Sequence, residues 1–138
     1  MKRLTVTVLL LAICLNMLSL PAVASSINVV PTRSRVVLSE GSADVALEAP
    51  AGGRVESSDT YITNTQKIKI SLKSSKSITV KVSLYRNDGT CIQEATKDLG
   101  TIFRTSWTFS NLSQSEAYYF TITNLGQRDV SITGKVSE

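Results

Sequence analysis

The chain has 138 residues, with 15 Lys+Arg against 11 Asp+Glu and no histidine. The missing imidazole excludes Ser-His-Asp and Cys-His catalysis and the His-bearing zinc sites. A formal net charge of +4 falls short of the one-sided basic excess of a nucleic-acid binder, and one domain is the natural count at this length.

The N-terminus opens Met1-Lys2-Arg3, followed by an apolar run from Leu4 to Leu20. Pro21 breaks that run, and Ala22-Val23-Ala24 supplies small residues ahead of Ser25. Charged start, apolar middle and small-residue site predict a signal peptide over residues 1–24, cut between Ala24 and Ser25, and therefore a secreted protein. Ile13 is too large for lipoprotein processing at Cys14. With Asn16 inside it, the apolar run is also short for a bilayer span, so no membrane span is expected after cleavage.

Cleavage leaves 114 residues, with 13 Lys+Arg against 11 Asp+Glu and one cysteine, Cys91. A chain of that length can bury its own core, and here it must do so without an intrachain disulfide. That fits a bacterial cell surface better than the disulfide scaffolds of animal secretions.

Beyond the signal, apolar residues recur with period two. Val36/Leu38 and Val45/Leu47 mark two early strands. Ile68, Ile70 and Leu72 alternate with Lys67, Lys69, Ser71 and Lys73. Ile78, Val80, Val82 and Leu84 alternate with Thr79, Lys81, Ser83 and Tyr85. Phe103/Thr105/Trp107/Phe109, Tyr118/Phe120/Ile122 and Val130/Ile132/Val136 complete the set. About eight or nine short strands with Gly-bearing turns predict an all-β, antiparallel sandwich of Greek-key or jelly-roll type over residues 25–138.

The turn Asn87-Asp88-Gly89 sets a register. A three-residue loop with Gly89 left-handed pairs Tyr85 with Cys91 on one face and Leu84 with Ile92 on the other. Farther on, Leu112 precedes Tyr118 by six residues, just before an apolar strand. This spacing resembles the tyrosine corner of Greek-key sandwiches, whose phenol bonds back to upstream backbone. Asn111-Leu112-Ser113 also matches a glycosylation sequon, read here as a turn.

The stretch Tyr118-Tyr119-Phe120-Thr121-Ile122-Thr123-Asn124, followed by Asp129-Val130-Ser131-Ile132, resembles the last hairpin of bacterial pre-peptidase C-terminal domains. Fibronectin type III modules share part of that look. The resemblance spans roughly residues 77–138 and implies a fold only, with no functional motif carried across.

No catalytic, cofactor or metal site is expected. Cys91 lacks an activating base. The acids Glu40, Asp44, Glu48, Glu56, Asp59, Asp88, Glu94, Asp98, Glu116, Asp129 and Glu138 are scattered beside turns and strand ends, outside any motif. Two surface features point to binding. Lys67, Lys69 and Lys73 share a strand face, which Lys81 is expected to join from the next strand, a row suited to an anionic polymer such as teichoic acid or an acidic polysaccharide. Tyr85 and Tyr119 fall on the outward phase, where phenol rings can stack on sugars.

Phe103, Trp107 and Phe109 are assigned to the core, as are Tyr118 and Phe120. The leading reading is a secreted, non-catalytic surface module for a cell-wall polymer or polysaccharide. A structural or self-assembling protein, dimerising through Cys91, is the alternative, and a small hydrolase comes third.

Overall fold

Among the described residues, ten strands are divided between two sheets, with one 3-10 turn (Leu38–Glu40) after the first. The computed structural model describes residues 33–138, so the expected signal peptide, its Ala24/Ser25 cleavage point and the domain start at residue 25 lie outside the described residues. The strands are β1 (Ser34–Val37), β2 (Ala43–Ala49), β3 (Arg54–Glu56), β4 (Asp59–Ile62), β5 (Ile68–Ser74), β6 (Ile78–Arg86), β7 (Cys91–Leu99), β8 (Thr105–Phe109), β9 (Tyr118–Asn124) and β10 (Val130–Ser137). One sheet runs β1-β4-β9-β6-β7, with β3 also on β9, and the other runs β2-β10-β5-β8.

Period-two patterning explains the packing. Val80, Val82 and Leu84 on β6 and Phe120 and Ile122 on β9 are fully enclosed. They share one core with Ile68, Ile70 and Leu72 of β5, Ile132 and Val136 of β10, and Trp107 and Phe109 of β8. Each such side chain contributes roughly 1.5–3 kcal/mol on leaving water. The all-β sandwich expected from the alternation is therefore the fold. Trp107 lies in its core, with Nε1 donating to the Ala95 carbonyl at 3.2 Å.

The structure differs from expectation in five particulars. β3 and β4 raise the strand count to ten, and both are too short to display a period. β1 pairs β4 in parallel, so the first sheet is mixed rather than antiparallel. β9 and β10 form no hairpin, because they belong to different sheets. Buried Asn124 carries that crossing, donating to the carbonyls of Ala49 and Arg128 while its Oδ1 accepts from Gly126.

Phe103 is 82% exposed rather than in the core. β8 begins only at Thr105, after a Gly100–Arg104 loop pinned by the Ser74 amide donating to the Gly100 carbonyl. Finally, Tyr85 pairs Cys91 as expected, but Leu84 pairs Gln93, because a bulge displaces Ile92. Gly89 has the left-handed backbone the turn requires, at φ 90°.

The tyrosine corner is present. The Tyr118 hydroxyl accepts from the Ser113 amide at 2.8 Å and donates to Glu116 at 3.2 Å, while Leu112 is buried beneath the turn.

Candidate functional site

The two outer faces of the sandwich differ in charge. On the second sheet, inward residues of β5 alternate with Lys69, Ser71 and Lys73 on the outside. Register fixes their neighbours. Lys69 lies opposite Thr108 and Ser137, and Ser71 opposite Ser106 and Lys135. Lys73 lies opposite Thr133. Lys69 and Lys73 stand four residues apart, roughly 13 Å along the strand at the usual rise. Lys135 occupies the row between them.

Lys97 reaches over from β7, and its ammonium donates to the Ser106 carbonyl at 2.5 Å. The Ser71 and Ser106 hydroxyls bond one another at 2.8 Å. The acids of this face, Asp44 and Glu48, sit on the edge strand β2. Asp44 approaches Lys135 at 3.7 Å, and Glu48 accepts from the Ser131 hydroxyl. Lys69 and Lys73 have no ionic partner among the described residues. Lys67 lies just before β5, exposed at the end of the same row.

Lys81 does not join that row. It stands on β6, in the first sheet, with its ammonium 3.7 Å from Glu94. The reason is topological: the Ser75–Ser77 link crosses from one sheet to the other, so consecutive strands face opposite sides. Lys135 and Lys97 are the cations that sequence reasoning missed. The phase of Thr133, Lys135 and Ser137 marks Lys135 as outward, but its proximity to β5 depends on a pairing no local pattern reveals.

The first sheet's outer face carries the two expected tyrosines. Tyr85 and Tyr119 are cross-strand partners, with ring centroids 5.2 Å apart and planes within 12°. Both keep the outward phase, but Tyr119 is only 8% exposed. The Arg33 guanidinium lies 4.0 Å from its ring centre, and Arg54 lies 5.0 Å from that of Tyr85. Glu56 pairs with both arginines. Burial pushes the Tyr119 phenol above its usual value, and Glu56 adds to the rise. Tyr119 is therefore shielded, which corrects its expected role as a free stacking surface; Tyr85 stays half-buried. This face mixes its charges, with Glu56, Glu94 and Asp98 among Arg33, Arg35, Arg54 and Lys81.

Cys91 is exposed at the start of β7, and nothing around it supports the expected dimer. Among the described residues, no group of three His, Cys, Asp or Glu side chains is placed to hold a metal, and no helix is long and apolar enough to cross a membrane.

No protein-family model matches the chain, and no curated protein matches it. Among solved structures, the chain is similar to the Yersinia pseudotuberculosis-derived mitogen, with a TM-score of 0.51 at 14% identity over 70% of this chain and 85% of the mitogen. A second structure, "BiXyn10A CBM1" in its apo form, overlays with a TM-score of 0.38 at 13% identity, covering 72% of this chain and 75% of its own. At these identities the first likeness speaks to the fold alone, and the second overlap carries no argument.

Proposed function

We propose that the protein is an exported, non-catalytic binding module for an anionic polymer, docked along the outer face of β5, β8 and β10. One observation carries the reading: Lys69 and Lys73, both without ionic partners among the described residues, share a hydroxyl-rich face with Lys135 between them. A polyanion lying along β5 meets an ammonium in successive rows and hydroxyl donors from Ser71, Ser106, Thr108 and Thr133 beside it. Teichoic acid and acidic polysaccharides have that chemistry.

The other face favours this choice over a neutral glycan, because Arg33 and Tyr85 cover the Tyr119 ring. Against catalysis stand the absence of histidine and the structural duties of the acids. Asp88 accepts from the Thr90 amide, Asp129 from the Ala51 amide, and Glu138 from the Asn64 amide. Export rests on the pattern of residues 1–24.

Calorimetric titration with dextran sulfate, polyphosphate and neutral dextran tests the reading. Binding is expected for the two anionic polymers only, weakening about tenfold between low and physiological salt as counterions compete. Flat responses to both anionic polymers would remove the proposal.

A further inference from the structure

The large exposed apolar side chains of the described residues are Ile102, Phe103 and Leu125, at 77%, 82% and 53% exposure. All three belong to one end of the sandwich. The Gly100–Arg104 loop is tied to β5 by the Ser74 amide, which donates to the Gly100 carbonyl at 3.0 Å. The Leu125 amide donates to the Thr79 carbonyl at 3.0 Å, and the Gly52 amide to the Gly126 carbonyl at 3.1 Å. Ile78 and Thr79 thus lie between the two apolar loops, pairing Leu99 and Asp98 on one side. Two strand spacings, roughly 10 Å, separate the loops. Their bases are anchored in the sheet, and their tips extend beyond it.

Cations surround this end. Lys76, Arg104 and Arg128 are exposed and have no ionic partner among the described residues. The acids present, Asp98 and Asp129, already accept from the Thr79 hydroxyl and the Ala51 amide. The opposite end is polar, and Arg86 there pairs with Glu116 at 2.8 Å and with Asp88 at 3.7 Å.

We propose that the end bearing Ile102, Phe103 and Leu125 seats in the interfacial layer of a bilayer with anionic headgroups. Bulky apolar side chains carried on two separate loop tips, Ile102 and Phe103 on one and Leu125 on the other, suit shallow insertion among acyl chains better than a flat protein contact, which needs a continuous patch. Lys76, Arg104 and Arg128 belong to the turns of the same end, where headgroup phosphates would meet them, and their long apolar stems can cross that layer. This surface is separate from the lysine face of β5 and does not depend on it.

The test places an environment-sensitive fluorophore on the full chain through Phe103→Cys, Leu125→Cys or, at the opposite end, Gln114→Cys, in a Cys14→Ser/Cys91→Ser background. Vesicles of phosphatidylcholine are compared with and without phosphatidylglycerol. Labels at 103 and 125 are expected to shift to the blue with anionic vesicles while the label at 114 does not. The triple variant Lys76→Gln/Arg104→Gln/Arg128→Gln is expected to need about tenfold more anionic lipid for the same shift. An unchanged signal at 103, an equal shift at 114, or equal insertion into phosphatidylcholine alone overturns the proposal. So does a shift at 103 that grows with protein concentration in the absence of lipid, which would assign the tips to a second copy of the chain.

Discussion

Tyr118 closes the 113–118 turn with two hydrogen bonds from one hydroxyl, and deleting that oxygen leaves the Ser113 amide without its partner. Tyr118→Phe is expected to cost about 1–2 kcal/mol, read as a lower urea midpoint at unchanged slope. Gly134 is a stricter case, and its backbone conformation is ordinary. The constraint is space: a Cβ there would meet the Ser71 carbonyl oxygen at 2.0 Å and the Leu72 side chain at 2.8 Å. Gly134→Ala is therefore expected to cost roughly 3 kcal/mol, because β5 and β10 would have to part. The glycine is visible in the sequence, but the strand that presses on it is not.

Burial also raises the phenols of Tyr61 and Tyr118 alongside that of Tyr119. A raised phenol binds its proton more tightly in the folded state than in the unfolded chain. The resulting stability is full below the ordinary value near 10 and declines as pH climbs above it. Denaturation midpoints measured from neutral to strongly alkaline pH are expected to fall from about pH 10 upward, with phenolate absorbance rising together with unfolding.

Among the elements, β7 and β8 form a seam. They are the edge strands of their sheets on one side of the sandwich, and side chains bridge the gap between them. Gln93 Nε2 donates to the Ser110 carbonyl, Trp107 Nε1 to Ala95, Lys97 Nζ to Ser106, and Thr105 Oγ1 to Asp98. These bonds occupy carbonyls that an incoming strand would otherwise pair with. Gln93→Ala combined with Lys97→Ala is expected to leave the fold intact yet raise self-association, seen as growth in light-scattering mass with concentration. Unchanged scattering would show that the seam is not what protects the edge.

The seam also explains why β7 lacks a period-two pattern. Its inward phase is Gln93, Ala95, Lys97 and Leu99, which does not alternate apolar with polar. The polar members turn toward backbone across an open edge. β6, buried between two neighbours, shows its alternation plainly, and the turn at Gly89 gave the Tyr85–Cys91 register correctly. A bulge then absorbs Ile92, an event no alternation rule anticipates. Phe103 misled for a related reason: its phase continues that of Trp107 and Phe109, but the strand starts two residues later.

At the scale of the molecule, the chain changes sheet at every connection except β3–β4 and β6–β7. That habit governs the functional reading. Local alternation identified which lysines face outward and could not tell which sheet each belongs to. Lys81 consequently moved to the mixed-charge face, Lys135 joined Lys69 and Lys73, and Lys97 came to the seam beside β8. Outward phase was legible for Tyr85 and Tyr119, but Arg33, which covers Tyr119, is brought there by the parallel pairing of β1 with β4, which nothing in the tyrosines' own strands reveals.

The asymmetry between the two faces is the centre of the account, and reversing charges on each face in turn tests it. Lys69→Glu/Lys73→Glu and Lys81→Glu are both exposed-face changes, so both proteins should fold. Measured against dextran sulfate at low salt, the double variant is expected to lose about tenfold or more in affinity, and Lys81→Glu less than about twofold. Equal losses, or a larger loss for Lys81→Glu, would contradict a polyanion site on the outer face of β5.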